Sequence, residues 1–525
     1  MVNNNIFLGS GASTTFVPET DLFMVLSAIN TSTGVLSFAN WGYPLVPNLY
    51  IGCEIEIWAN GGSARLETFT IKSNTTNTIT VNGTITRTFA TNDFCVLQGY
   101  GAPTPHPDVS NKEALCSDNW MGITETMTFP TITQDLKQTN LGLGGTRNWT
   151  YQYKGIRTSD GGSFSLVANT GAWLYYALGK MTDITYTADG GAFSLIGGSS
   201  GAAFTATADK AYIQFTGSTV TDEGCGETGP FFYRTVKGGT GLMPPFQDQL
   251  YDKTKMVKLN ETALITYTIT EQDTSELPSF SLEQSISKDP LVLTTDATQS
   301  SKVITAHEST SFTRIARGNR INDLTLEAAE GEELKMTCNL NTRVVDSITD
   351  LYRSANATPN YTARAGQGIN SNLNNWQAGT DAGIPFFFSQ GSFEALGVQF
   401  LKISSVTIVI TNNLQDKRYM GGHRDMKDGL AGQRDYEITF TAIVTDDKLF
   451  NEMLNETENT GNDFVKFQFD KPDSGEQIKL HFKDYFFSQT TVTIPDDKGP
   501  VTFEGTIKPR TLEDCTVITN WKLMA

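Results

Sequence analysis

Apolar and polar residues alternate over many short stretches of this chain, which is the period of a half-buried β-strand. The clearest stretches are Cys53-Glu54-Ile55-Glu56-Ile57-Trp58, Glu67-Thr68-Phe69-Thr70-Ile71, Thr78-Ile79-Thr80-Val81 and Phe94-Cys95-Val96-Leu97. Between them Asn60-Gly61-Gly62 and Asn82-Gly83 supply hairpin turns. Strands this short close most readily as a small β-barrel, predicted over 23–99 after an N-terminal arm over 1–22. Pro103, Pro105 and Pro107 cannot continue a ladder, so 100–118 reads as a linker.

Beyond the linker the alternation repeats on a larger scale. A strand over 124–129 is followed by a polar loop and a second strand through Trp149, Tyr151 and Tyr153. Ser405-Val406-Thr407-Ile408-Val409-Ile410 is followed by a loop over 412–433 and a second strand through Tyr436, Ile438 and Phe440. Each pair leads into a short amphipathic helix. Trp173, Leu174, Ala177 and Leu178 in one, and Leu449, Phe450, Met453 and Leu454 in the other, line one face at i, i+1, i+4, i+5 spacing. Asn169 or Thr170 stands ready to cap the first helix, and Thr445 or Asp446 the second.

A strand (278–283 and 464–469) and a hairpin complete each copy. Leu324, Leu326, Met336, Leu340 and Arg343 find Val492, Ile494, Phe503, Ile507 and Arg510 at nearly constant offset, around turns at Glu330-Gly331 and Lys498-Gly499. The shared order predicts two copies of one unit, over 119–345 and 383–525, with a connector over 346–382. The first copy carries an insertion around 181–276, and its Gly/Ala/Ser-rich run 190–201 is expected to be a mobile surface loop. The fold class is mainly β.

Composition narrows the functional classes. The 525 residues carry 39 Lys+Arg against 57 Asp+Glu, a net charge of −18 that opposes stable binding to a phosphate backbone. No apolar run is long enough to span a membrane as a helix, and Met1-Val2-Asn3-Asn4-Asn5 lacks the basic start of a secretory signal. The expectation is a soluble protein made in a cytoplasm. Six widely spaced cysteines without a Cys-x-x-Cys pair read as reduced, buried thiols.

Candidate chemistry is absent from the pattern. His106, His307, His423 and His481 fall in four separate segments, none at metal-ligand spacing. Gly142, Gly144 and Gly145 sit in a polar loop with Arg147 where a phosphate-binding fingerprint needs its third glycine. Asp446-Asp447 and Asp496-Asp497 are explained by a cap and a turn. No catalytic, cofactor or metal residue is assigned. Arg418, His423, Arg424, Lys427 and Arg434 alternate with Asp416, Asp425, Asp428 and Asp435, which fits either a solvated loop or one that docks by salt bridges on a neighbouring subunit.

The helix 173–179 ending Ala-Leu-Gly, Pro278-Ser279-Phe280-Ser281-Leu282-Glu283, and Arg317-Gly318-Asn319-Arg320-Ile321-Asn322-Asp323-Leu324-Thr325-Leu326 with Gly331-Glu332-Glu333-Leu334 resemble the tail tube proteins of long-tailed, siphovirus-like phages. The run 405–414, ending Asn412-Asn413-Leu414, is also similar to that family. The resemblance spans about 120 to the C-terminus and leaves the small barrel outside it, as an insertion or decoration. It implies a duplicated β-sandwich with a flanking helix in each copy. It also implies edge-to-edge rings that stack into a tube, in the virion tail and beside other tail proteins.

With two copies per chain, the resemblance implies homotrimeric, pseudo-hexameric rings, with homohexamers as the alternative. DNA would pass in transit without specific binding. The strands expected to line the lumen hold Thr124, Thr126, Thr128, Tyr151, Tyr153, Ser405, Thr407, Val409, Tyr436 and Thr439. The loops after Phe129 and Ile410 are expected to reach the adjacent ring, the second through Arg418, Arg424, Asp425 and Arg434. A baseplate or tail-terminating ring protein is the nearest alternative. A carbohydrate-binding tail-fibre protein, using Trp41, Tyr43 and Tyr50, is a more distant one.

Overall fold

The computed structural model describes residues 12–38, 50–97, 123–140, 148–194, 210–215, 231–236, 265–286, 292–295, 302–305, 312–347, 385–418, 428–447 and 464–519, less short breaks within these ranges, with Asn451 and Leu454. β1 (Ala12–Glu19) precedes a unit of six short strands: β2 (Leu22–Asn30), β3 (Val35–Phe38), β4 (Glu54–Trp58), β5 (Arg65–Asn74), β6 (Thr78–Asn82) and β7 (Phe94–Leu97). Next come β8 (Ile123–Thr128), β9 (Thr131–Thr139), β10 (Tyr151–Asp160), β11 (Ser163–Val167) and the helix α1 (Trp173–Leu178). β12 (Gly179–Ala188), β13 (Gly191–Ser194), β14 (Lys210–Phe215), β15 (Phe231–Val236) and β16 (Ile265–Glu271) follow.

β17 (Ser279–Ile286), β18 (Val292–Thr295), β19 (Lys302–Thr305), β20 (Phe312–Ala329), β21 (Lys335–Asn341) and β22 (Val344–Ser347) come next. The remaining strands are β23 (Gly391–Ala395), β24 (Val398–Gln399), β25 (Ile403–Thr411), β26 (Gln415–Lys417), β27 (Asp428–Leu430), β28 (Asp435–Ile443), β29 (Val465–Asp470), β30 (Gln477–Thr493) and β31 (Thr502–Thr519).

The six short strands close a barrel in the order β2-β3-β6-β5-β4-β7. Leu36, Ile55, Ile57 and Ile79 fill it, as their alternation requires. Tyr50 is fully buried and unavailable to stack on a sugar, while Trp41 and Tyr43 lie outside the described residues. The barrel is seated on β20 and on the turn between β21 and β22. The Arg343 guanidinium donates to the Gly52 carbonyl at 3.1 Å, and Ile315 packs into the barrel's apolar cluster. The expected arm is in part a strand, since β1 pairs antiparallel with β17. At its end the buried Glu19 carboxylate accepts hydrogen bonds from the Ser279 and Ser281 hydroxyls and from the Gly318 N–H.

The rest of the fold is a two-layered sandwich. One layer runs β8-β11-β21-β20-β25-β28-β31-β30, every neighbour antiparallel. The long strands β20, β30 and β31 cross into the opposite layer, where β20 meets β17 and β22, and β30 meets β29. The order β8-β11-β21-β20 recurs as β25-β28-β31-β30. Both copies skip a residue at the same place, Glu125 against Ser404 and Asn322 against Ser488. These ladders correct the alignment of one strand. Met336 and Leu340 correspond to Phe503 and Ile507, but Leu324 and Leu326 correspond to Thr490 and Val492, because the second hairpin is one residue longer at its turn.

α1 lies between the layers with all six residues buried. Trp173 meets Phe164 of one layer at 4.7 Å between ring centroids and Phe280 of the other at 5.2 Å. Gly179 ends the helix at φ +97, and a Cβ there would lie 2.7 Å from Gln272 Cβ and 2.8 Å from Leu277 Cδ2. Of the two residues expected to cap the helix, Asn169 does not: neither polar atom of its buried side chain has a hydrogen-bond partner, and the Leu174 N–H bonds to Gly171 O at 3.0 Å. Gly171 lets the chain approach closely, since a Cβ there would meet Val517 at 2.8 Å.

The second helix falls almost wholly outside the described residues. A single turn is present, Asn451 N–H to Asp447 O at 3.0 Å, and Leu454 is exposed where an inward stripe was expected. The ends of the insertion belong to the sandwich, since β12 pairs with β16 and β16 with β31. The first part of its Gly-rich run is β13, paired with β12, and 195–209 lie outside the described residues.

Candidate functional site

The eight-stranded layer has two chemically distinct faces. Val406, Ile408, Ile410, Ile438, Phe440, Phe503 and Ile507 point into the core. Gly505 leaves room for this packing, since a Cβ there would sit 2.8 Å from both the Phe440 and Phe503 rings. Ser405, Thr407 and Val409 alternate with the buried positions of β25 and are half-buried on the other face; Thr439 of β28 is exposed beside them. Thr124, Thr126 and Thr128 are exposed on β8. Asp323, Glu327, Asp435, Glu437 and Glu504 share this polar face with Lys335 and Lys508, and Lys508 pairs with Glu437 across β31 and β28.

Tyr436 belongs to the opposite face. It is buried, its hydroxyl bonds to the Glu271 carboxylate, and its ring lies 5.2 Å from Phe482. Burial pushes the Tyr436 hydroxyl well above its ordinary pKa.

Tyr151 and Tyr153 are also relocated. The strand beside β8 is β11, and β10 pairs with β9 in a separate two-stranded hairpin. Pro130 provides the physical reason, because without an N–H it cannot extend the β8 ladder. Apolar side chains on both faces of the hairpin and just before it are exposed, with Leu136, Trp149, Tyr151 and Tyr153 each more than half exposed. Its alternation was legible in Thr131-Ile132-Thr133-Gln134-Asp135-Leu136, although the segment read as a loop.

The corresponding loop of the second copy holds the short hairpin β26–β27. Arg418 follows β26 and is exposed, and Arg424 and Asp425 lie outside the described residues. Arg434 turns inward, donating to Asn412 Oδ1 at 2.9 Å and to the Leu178 carbonyl at 3.0 Å. A cation at the carbonyl end of α1 is favourably placed against the helix dipole. Asn412 in turn donates to the Ala177 and Ile321 carbonyls, both at 3.0 Å, so the loop base is tied to the helix.

Among the described residues no three His, Cys, Asp or Glu side chains converge to hold a metal ion. Cys95, Cys338 and Cys515 are buried, and burial raises their thiol pKa values, which disfavours the reactive thiolate. His481, on the outer face of β30, has its pKa lowered by burial and by Lys479 and Lys466, against the opposing pull of Asp514 and Glu394.

An imidazole whose pKa is lowered in the fold takes up protons less readily than in the unfolded chain, so it contributes stability that is present above its ordinary pKa and is lost as pH falls below it. The urea midpoint should therefore drop between pH 7.5 and 5.5, and His481→Phe should flatten that slope. An equal slope in wild type and variant would refute the assignment.

A duplicated sandwich with one polar sheet face, and no convergent chemistry among the described residues, has the character of a structural protein. The model of the phage tail tube protein family matches residues 134–513, and the chain belongs to that family. Its place is the tail tube of the virion. No described helix is long and apolar enough to cross a membrane. Among solved structures, the chain is similar to Hcp1 from Flavobacterium johnsoniae, with 20% identity and a TM-score of 0.17 over 24% of this chain and 94% of that one. It is also similar to a chain of the tail of an empty GTA particle (helical refinement, C6 symmetry), with 14% identity and a TM-score of 0.18 over 24% and 92%. A chain of the virion of a native gene transfer agent particle matches at 12% identity and a TM-score of 0.19 over 24% and 95%. No curated protein matches.

Proposed function

We propose that three copies of this chain close a pseudo-sixfold ring, that rings stack into the tail tube, and that the tube is a passive conduit for DNA. The observation that carries this is the β20–β25 ladder, which joins two units of one chain into a continuous eight-stranded layer. The units over 119–345 and 383–525 each supply four of those strands. At about 4.8 Å between strands and a tilt of about 40°, sixteen strands make a backbone barrel about 32 Å wide and twenty-four make one about 48 Å wide. Side chains take roughly 5 Å from each wall, which leaves about 22 Å in the smaller barrel, a bare fit for a duplex about 20 Å across, and about 38 Å in the larger, enough for the duplex and its hydration.

The wall of that barrel is the polar face. Thr124, Thr126, Thr128, Ser405, Thr407 and Thr439 would present hydroxyls, and carboxylates outnumber ammonium groups there. Counterion release, which makes DNA stick, requires clustered Lys and Arg. A threonine-rich, acidic wall gives sliding DNA little to hold, and no residue is asked to do catalysis. The β9–β10 hairpin, with its exposed Tyr151 and Tyr153, is the proposed contact to the next ring, and Arg418 is its counterpart in the second copy.

Electron microscopy of the purified chain should reveal hollow striated tubes. Native mass measurement of single rings should give three copies of 57.4 kDa, about 172 kDa. Rings of six chains would refute the duplication argument, rings that never stack would favour a tail-terminating ring protein, and a permanent monomer would refute assembly altogether.

A further inference from the structure

The chain contains one complete junction between units and, at its two ends, the halves of another. Within the chain, β20 pairs with β25 from Asp323 opposite Thr411 to Ala329 opposite Ser405. β20 is the last strand of the first unit's four, and β25 is the first of the second unit's four. The matching last strand of the second unit is β30, and the matching first strand of the first unit is β8. In this layer, among the described residues, β8 pairs only with β11, and the stretch 485–493 of β30 pairs only with β31. Among the described residues, then, no second strand lies along Met127 and Thr128 of β8 or along Val492 and Thr493 of β30.

The ladders fix which residues correspond, because the skipped residues recur at the same places. On that alignment Leu326, Glu327 and Ala328 correspond to Val492, Thr493 and Ile494, and Val406, Thr407 and Ile408 correspond to Met127, Thr128 and Phe129. Burial gives an independent observation. Leu326 and Ala328, covered by β25, are 0% and 3% exposed, whereas Val492 and Ile494 are 44% and 76% exposed. The same positions are core in one unit and bare in the other, and what is missing is a strand with the character of β25. Exposed apolar residues beside an open edge mark a surface that another chain covers.

We propose that β30 of one chain pairs antiparallel with β8 of a second copy in the register of β20 with β25. That register sets Val492 opposite Phe129, Thr493 opposite Thr128 and Ile494 opposite Met127. The contact is heterologous, and repeated around the axis it closes a ring. This register rests on the ring reading above and adds to it a specific edge and alignment.

Cross-linking the full-length chain tests both parts separately. Residues directly opposite on antiparallel strands have Cβ atoms about 4.5–5.5 Å apart, near disulfide reach, whereas a four-residue offset is out of reach. Thr128→Cys/Thr493→Cys, oxidised with copper–phenanthroline, should give dimer and trimer bands on a non-reducing gel that Thr124→Cys/Thr493→Cys lacks. Ile494→Asp, at an exposed position, should leave the monomer's thermal midpoint unchanged and abolish rings. Rings that lock through Thr124→Cys instead would overturn the register and leave the ring reading standing. Rings that form undiminished with Ile494→Asp would overturn the edge. A chain that never assembles would sink both.

Discussion

Replacing Lys471 with Met should destabilise the fold by about 3–5 kcal/mol, seen as a lowered urea midpoint. Lys471 Nζ lies 2.8 Å from Glu476 Oε2, and both side chains are almost fully buried at the β29–β30 turn. The ammonium also donates to the Asn169 carbonyl at 3.3 Å and sits 4.3 Å over the Phe386 ring. Glu476 accepts the Thr519 hydroxyl at 3.1 Å through its other oxygen. The pair therefore joins the entry to α1, the start of the second unit and the end of β31. Removing the cation strands a carboxylate in a site closed to water, which costs far more than the pair contributes. Lys471→Met/Glu476→Leu should recover most of the loss. A double variant as unstable as the single one would point to lost packing instead of unpaired charge.

Trp173→Ala should cost a similar amount, about 3–5 kcal/mol, through the cavity it opens between the layers. The indole is buried against Phe164, Tyr176 and Phe280, so its loss separates the two sheets at their common contact. Tyr153→Ala is the contrasting substitution. That ring is 58% exposed on the hairpin, so the monomer should change by no more than about 0.5 kcal/mol while stacking of rings suffers. Thermal unfolding of both variants checks the pair of expectations. A loss below about 1 kcal/mol for Trp173→Ala would refute the keystone role of α1.

Several features were legible because a strand's period of two leaves no freedom once one residue is known to be buried. Ile55 and Ile57 of the barrel, Val406, Ile408 and Ile410 of β25, and Ile438 and Phe440 of β28 could be assigned to a core from alternation alone, and Thr407 and Thr439 to the other face by the same rule. Tyr436 belongs to that core set, and its hydroxyl drew it wrongly toward the polar face. The Trp173 helix was legible from its spacing and its terminal glycine. The duplication was legible because the order of elements survives after their residues have diverged.

The partners of each strand were not legible. Backbone N–H and C=O groups are the same in every residue, so alternation says which way a side chain points and nothing about which strand lies alongside. Tyr151 and Tyr153 alternate as well as any inner strand, yet they pair with β9, and the shorter run 163–167 takes the place beside β8. The contacts of Asn412 with Ala177, and of Lys471 with Asn169, span 235 and 302 residues and have no local signature. The sequence by itself determined the class of fold, the two copies and the chemistry of each face, because these follow from local periodicity. Only the tertiary structure decided that β20 meets β25 and that, among the described residues, β8 and the end of β30 each have one strand beside them, because edges exist only once distant strands have paired.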